Sequence, residues 1–92
     1  MFQTIAVHHV KPEHTEAFLA FMREVEAAVE GAQGLIEFGS YREHLHGDLV
    51  AVARWESPAA FEAARPRIMS LSDRRRPEWT DREDDLLAIS PA

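Results

Sequence analysis

Two adjacent histidines, His8 and His9, are the residues of this sequence best suited to proton transfer. An imidazole has an unperturbed pKa of ~6.5, so a histidine beside a bound phenol can accept its proton near neutral pH. Both residues lie in an apolar run, Phe2 to Val10, that predicts a β-strand. Adjacent strand residues point to opposite faces, so only one of them can face a given cleft. The alternative for either is a hydrogen-bonded histidine in a half-buried sheet.

The remaining histidines are weaker candidates for chemistry. His44 and His46 flank a predicted turn, where a metal ion would need a third ligand, and Asp48 is the only local candidate. We therefore predict a solvated loop and no metal site. His14 falls in the first turn of a predicted helix, where a surface position is expected.

Aromatic residues supply most of the candidates for substrate binding. Tyr41, the only tyrosine, can hydrogen-bond a substrate carbonyl if it faces a cleft, or pack on the opposite face of the sheet. Trp79 can cover a cleft or contact a partner subunit, with a purely structural role as the favoured alternative, while Trp55 is expected to close the core. The basic run 74–76 is expected to be a solvated turn, with steering of an anionic substrate as the alternative. The predicted substrate-binding residues are His9, Tyr41, Phe61 and Trp79.

Composition narrows the class of protein. The chain has 92 residues, which fits one domain spanning 1–92, and 16 acidic against 10 basic residues give a net charge of −6. An acidic chain repels phosphate backbones, so no nucleic-acid partner is expected. There are no cysteines, and no apolar run approaches the ~20 residues of a membrane span. With no signal-peptide pattern either, we expect a cytoplasmic protein without a membrane partner.

The spacing of apolar residues predicts the order β-α-β-β-α-β, an α+β domain with one four-stranded antiparallel sheet. Apolar residues at helical spacing predict a first helix over 13–30, closed by Gly31. Ser57 and Pro58 predict the start of a second helix, which should break near Pro66 because an internal proline loses a backbone hydrogen bond. The first three strands are predicted over 2–10, 35–43 and 49–55, the last two forming a hairpin.

The segment 81–89 has two interpretations. Leu86 to Ile89 form an apolar run that can be a buried final strand. Thr80 with Glu83 forms a capping-box pattern that would instead begin a helix. We favour the strand because it completes the β-α-β-β-α-β order.

The predicted sheet is apolar on both faces. In the third strand, Leu49, Ala51, Ala53 and Trp55 share one face, while Val50 and Val52 point to the other. Two helices cover one face only, and a bare apolar face of this size is unusual for a monomer. A second copy of the same sheet is the simplest cover, which predicts a homodimer. The alternative is a C-terminal segment that folds across the open face.

Part of the sequence resembles the antibiotic biosynthesis monooxygenase domain family. The motif is a glycine and two apolar strands, then Trp-Glu-Ser and a helix with a phenylalanine. It is carried here by Gly34-Leu35-Ile36-Glu37-Phe38, Leu49-Val50-Ala51-Val52-Ala53-Arg54, Trp55-Glu56-Ser57 and Pro58-Ala59-Ala60-Phe61. The start, Val10-Lys11-Pro12 before a helix with Phe18, is similar too.

This resemblance implies a ferredoxin-like βαββαβ subunit that pairs sheet to sheet into a dimeric α+β barrel. It also implies a cleft between helices and sheet, in which relatives oxidise anthrones or quinols without metal or flavin, so no cofactor is expected. Matching Lys11 and Pro12 to the family pattern puts His8 on the cleft side, where it would be the catalytic base, although a one-residue shift would exchange it with His9.

Other members of the resembled family bind and degrade haem with an Asn, a helical Trp and a His ligand. This sequence contains no Asn, and the Trp and His positions fall near Ala64 and Arg74. Arginine has no lone pair with which to bind iron. The leading expectation is a cofactor-independent monooxygenase acting on a small aromatic or quinol-type compound. The alternative is a non-catalytic dimer that binds a small apolar ligand or another protein, and haem binding is a minor one.

Overall fold

The computed structural model describes all residues from Met1 to Ala92. Four strands form one antiparallel sheet in the order β2-β3-β1-β4, and both helices lie on the same face of it. This is the predicted ferredoxin-like α+β fold. The elements are β1 (Phe2–His8), α1 (Thr15–Val29), β2 (Leu35–Arg42), β3 (Leu49–Trp55), α2 (Pro58–Met69) and β4 (Asp85–Ile89).

Helix α1 is held to the sheet by one apolar stripe. Phe18, Met22, Val25 and Val29 recur at intervals of three or four residues and are all buried. A 3-10 turn over Pro12–His14 precedes the helix, so its α-helical part starts two residues later than predicted. Gly31 follows with φ +75°, a left-handed conformation that glycine adopts without strain.

The pairing of β1 with β3 decides which side chains share a face. His8 is opposite Leu49 and Thr4 is opposite Ala53, so these residues all point toward the helices. Trp55, fully buried, donates its indole Nε1–H to Thr4 Oγ1 over 3.1 Å. Its predicted role in closing the core is confirmed, and the bond ties the two central strands together beneath α2.

Helix α2 differs from its prediction at Pro66. Ser57 caps the helix as expected, its Oγ accepting a hydrogen bond from the backbone N–H of Ala60 at 3.2 Å. The helix then continues through Pro66 to Met69 instead of breaking. Both Pro66 and Glu62, whose carbonyl loses its helical partner, are exposed, so water can satisfy that carbonyl.

The C-terminal segment forms a strand, as predicted, but the expectation that it is buried is wrong, since all five of its residues are exposed at the sheet edge. Residues Asp85–Ile89 pair with β1 as an edge strand, and the helix suggested by Thr80 and Glu83 does not form. Two 3-10 turns, Ser72–Arg74 and Pro77–Trp79, connect α2 to this strand. The chain therefore ends at the sheet edge and does not fold across the open face.

The sheet face opposite the helices is apolar at its centre. Ile5, Val7, Val50 and Val52 occupy it on the two central strands, and Leu87 extends it on β4 with 53% of its surface exposed. No element of the chain covers this face. No helix is long and apolar enough to cross a membrane.

Candidate functional site

A cavity of about 540 Å³ lies between the two helices and the sheet. Most of its lining is apolar, contributed by α1, α2 and all four strands. Its size and apolar walls suit a small aromatic molecule. The polar side chains at its wall are Thr4, His8, Arg65, Ser72, Arg75 and Asp84.

His8 is placed in the cavity wall by its position as the last residue of β1. Its imidazole packs against Phe18 with ring centroids 4.8 Å apart, and its side chain is 11% exposed. Nδ1 lies 3.0 Å from Asp84 Oδ2, an ion-pair distance, although the two groups are poorly aligned for a hydrogen bond. The imidazole hydrogen bonds within the protein belong to His9 and His46, so Nε2 of His8 is available to a ligand.

Asp84 is held by Arg75. The guanidinium donates two hydrogen bonds to the carboxylate, at 2.6 Å and 2.7 Å, and also lies over the Phe18 ring at 5.1 Å from its centroid. Burial by itself raises the pKa of Asp84, but the bonds from Arg75 and the contact with His8 outweigh it and hold that pKa well below its usual range. Asp84 is therefore a carboxylate at neutral pH.

His9 lies on the other side of the sheet and does not line the cavity. Its Nε2 is 2.9 Å from Asp85 Oδ2 and its Nδ1 is 3.1 Å from Asp48 Oδ1. The hydrogen bond to Asp85 raises the pKa of His9, burial opposes this, and Asp48 adds to the rise. Arg82 Nη2, 3.1 Å from Nδ1, can donate to that atom only when His9 is neutral.

The four residues predicted to bind substrate separate into two groups. Phe61 lines the cavity, where it also packs edge-on against Trp55 at 5.6 Å. His9 and Tyr41 point to the open face of the sheet, and the Tyr41 ring lies over Gly39. Trp79 packs in the core against Phe18 with centroids 6.0 Å apart. Only Phe61 is positioned to contact a molecule in the cavity, because β-strand alternation and core packing direct the other three away from it.

The hairpin loop is solvated, with the His46 side chain 73% exposed. Glu43, His46 and Asp48 each bring one potential ligand atom within 4.8 Å of the others. The Glu43 carboxylate accepts the backbone N–H groups of Leu45 and His46, and Asp48 contacts His9. The turn and the ion pair explain these side-chain positions without a metal ion.

Two residues at the cavity, Asp84 and Arg75, were not predicted as site residues. The run 74–76 was expected to be a solvated turn. This is confirmed for Arg74, which pairs with Glu24 at the surface, and is wrong for Arg75. One signal was available in the sequence. The two histidines lie at the end of β1 and the two aspartates at the start of its antiparallel neighbour β4, so each histidine meets one aspartate on its own face.

The chain is similar to known proteins in its sequence and in its fold. A family model described as antibiotic biosynthesis monooxygenase matches residues 1–66, which include His8 and Phe61 but neither Arg75 nor Asp84. No curated protein matches the sequence significantly.

Solved structures with a similar fold cover nearly the whole chain. Rv0793 from Mycobacterium tuberculosis superposes with a TM-score of 0.85 at 19% identity, over 99% of this chain and 94% of that one. A candidate antibiotic biosynthesis monooxygenase from Nitrosomonas europaea gives 0.83 at 18%, over 99% and 98%. An arginine-to-serine variant of MhuD, with two manganese protoporphyrin IX molecules bound per active site, gives 0.81 at 23%, over 99% and 94%. At these identities the likeness shows the fold alone.

Proposed function

The chain belongs to the antibiotic biosynthesis monooxygenase family, and on that premise we propose that it oxidises a small aromatic or quinol-type compound with O₂, without a cofactor. The substrate would bind in the cavity between helices and sheet. The observation that carries this proposal is the position of His8, whose Nε2 has no hydrogen-bond partner in the protein, in the wall of a mostly apolar cavity.

The apolar walls and the histidine have separate roles. Aromatic and aliphatic side chains, with Phe61 among them, bind the flat face of an aromatic substrate and exclude water. His8 Nε2 takes the proton from an acidic O–H or from a C–H activated by adjacent rings. Asp84, 3.0 Å from Nδ1, stabilises the imidazolium that forms. The electron-rich anion left behind is the species that reacts with O₂.

The overall reaction balances without an added reductant. For a methylene group between aromatic rings, both C–H bonds break, one oxygen atom of O₂ becomes the new carbonyl, and the other leaves as water. The substrate supplies all four electrons that O₂ accepts. The protein therefore needs only to bind the substrate, move a proton and stabilise charge, which the lining residues can do.

We further propose that the working unit is a homodimer joined through the open sheet face. The support is the apolar area centred on Ile5, Val7, Val50 and Val52, which the chain leaves only half-buried, with exposed Leu87 beside it. An isologous contact of this face with itself would bury it symmetrically. Since the cavity lies on the other side of the sheet, each subunit would keep its own complete site.

The alternative is a non-catalytic protein that binds a small apolar molecule in the same cavity. Haem is a poorer fit than an aromatic ligand. Ala64, at the position of the helical Trp, is packed in the core, and Arg74, at the position of the His ligand, is held by Glu24 at the surface. Neither residue lines the cavity.

Oxygen uptake distinguishes these functions. Purified protein is mixed with a panel of anthrones and quinols in an oxygen electrode, with His8→Gln and the exposed-loop variant His44→Gln as a matched pair. The proposal predicts protein-dependent uptake that His8→Gln reduces by ~10²-fold or more and His44→Gln leaves unchanged. No uptake, together with ligand-induced thermal stabilisation, would support the binding protein instead. A shifted Soret band with haemin would point to haem.

A further inference from the structure

We propose that Asp84, clamped by Arg75, is a positioning residue that fixes the His8 tautomer, with the proton on Nδ1 and the Nε2 lone pair free for substrate. This inference rests on the proposed function for its catalytic meaning. Its structural content concerns the free protein and can be tested without any substrate.

The Asp84 carboxylate lies close to one ring nitrogen of His8. Asp84 Oδ2 lies 3.0 Å from His8 Nδ1, and the two side chains are only 15% and 11% exposed. A carboxylate at that distance favours a proton on the nitrogen it faces, because a lone pair there would repel the negative oxygen. In a neutral imidazole the other nitrogen, Nε2, then carries the lone pair.

The guanidinium of Arg75 holds the Asp84 carboxylate in place. Arg75 donates to both carboxylate oxygens in a bidentate arrangement, the strongest geometry available to this pair. With both oxygens held and the pKa of Asp84 lowered, the carboxylate neither rotates away nor takes the proton from His8. Asp84 therefore contributes a fixed negative charge.

One side chain, Phe18, contacts both His8 and Arg75. The Phe18 ring contacts the His8 imidazole at 4.8 Å and lies 5.1 Å beneath the Arg75 guanidinium. Phe18 is fully buried in α1, so one rigid side chain sets the relative position of both groups. This arrangement resembles the supporting contacts that hold catalytic histidines in a single orientation.

Long-range ¹H–¹⁵N spectra of wild-type protein give the direct test, because Nδ1 and Nε2 shifts identify the tautomer. We expect the Nδ1–H form of His8 in the wild type, and a mixture or the Nε2–H form in Asp84→Asn. Arg75→Gln should produce an intermediate change, while Arg74→Gln, which removes the equivalent bidentate pair with Glu24, should produce none. A wild-type His8 in the Nε2–H form overturns the inference even if no variant folds.

Kinetics with an accepted substrate supply the second readout. Asp84→Asn should lower kcat by ~10- to 100-fold with KM changed less than about threefold, and Asp84→Glu should recover part of the loss. If the tautomer changes in Asp84→Asn but the wild type turns over no substrate, the proposed function fails and the positioning role stands. If turnover is normal and neither tautomer nor kcat responds to Asp84→Asn, the positioning role fails alone.

Discussion

His8 and His9 are adjacent in sequence but contact different aspartates on opposite faces of the sheet: His8 faces Asp84 on the cavity side, and His9 faces Asp85 on the open side. The pairing of β1 with β4 produces both contacts, since the start of β4 lies beside the end of β1. One sequence pattern thus builds a candidate catalytic pair and, on the open side, an ion pair between buried His9 and exposed Asp85.

The ion pair of His9 with Asp85 predicts how stability depends on pH. The folded-state pKa of His9 is raised, chiefly by its hydrogen bond to Asp85, so the folded protein binds this proton more tightly than the unfolded chain. The resulting stabilisation is fully present below ~6.5, the unfolded value, and is lost as pH rises through the folded value. We expect the stability advantage of wild type over His9→Gln to shrink from pH 6 to pH 9.

Urea unfolding at several pH values measures this difference, with His44→Gln as the control because His44 is exposed in the loop. A His9→Gln variant whose free energy of unfolding runs parallel to that of wild type over the whole pH range would contradict the assignment.

Filling the cavity should block ligand binding without unfolding the protein. Ala51 lines the cavity, and Val50 beside it points to the open face. Ala51→Leu places three more carbon atoms in the cavity, so we expect affinity for an aromatic ligand to fall at least ~10-fold. Val50→Leu adds one carbon on the other face and should leave affinity unchanged. Equal affinities of the two variants by isothermal titration would place the ligand elsewhere.

The bond from Trp55 to Thr4 should be measurable as a coupling energy. Thr4→Val leaves the buried indole N–H without an acceptor, at a cost of ~1–3 kcal/mol in the free energy of unfolding. Trp55→Phe removes that donor along with part of the side chain. The double variant should lose less free energy of unfolding than the sum of the two single losses. Chemical denaturation measures all three losses. Strictly additive losses would mean that the bond does not contribute.

The proposed dimer is tested by a charge on the open face. Val52 is central to that face, so Val52→Lys would bury a charge in the interface, whereas Ala63→Lys adds the same charge on the exposed side of α2. Light scattering should give twice the chain mass of 10.4 kDa for wild type and Ala63→Lys, and the single mass for Val52→Lys. A wild-type mass of one chain at low micromolar concentration would exclude the dimer.

Much of the fold could be predicted because its signals are local. The apolar run over 49–55 that follows the predicted turn defined β3 to the residue, and Ser57 with Pro58 marked the start of α2. The continuation of α2 through Pro66 could not be predicted in the same way. It depends on whether water reaches the freed carbonyl, which only the packed structure decides.

The candidate site was predictable only where its signals are local in the sequence. His8 could be named from its residue type, and the resemblance put it on the cleft side. Its partner Asp84 is 76 residues away along the chain and approaches only through the β1–β4 pairing. The role of Arg75 could not be predicted, because the sequence does not show which of the three consecutive arginines points inward. The direction of the chain after a 3-10 turn decides this.

Chemical-shift mapping with a non-oxidisable anthraquinone tests most directly whether the cavity is the functional site. We expect saturable shifts at Phe61, Ala51 and the His8 ring nitrogens, with the open-face residues Tyr41 and Val52 unaffected. Shifts confined to the open face, or none at ligand concentrations that stabilise the protein, would contradict the assignment of this cavity.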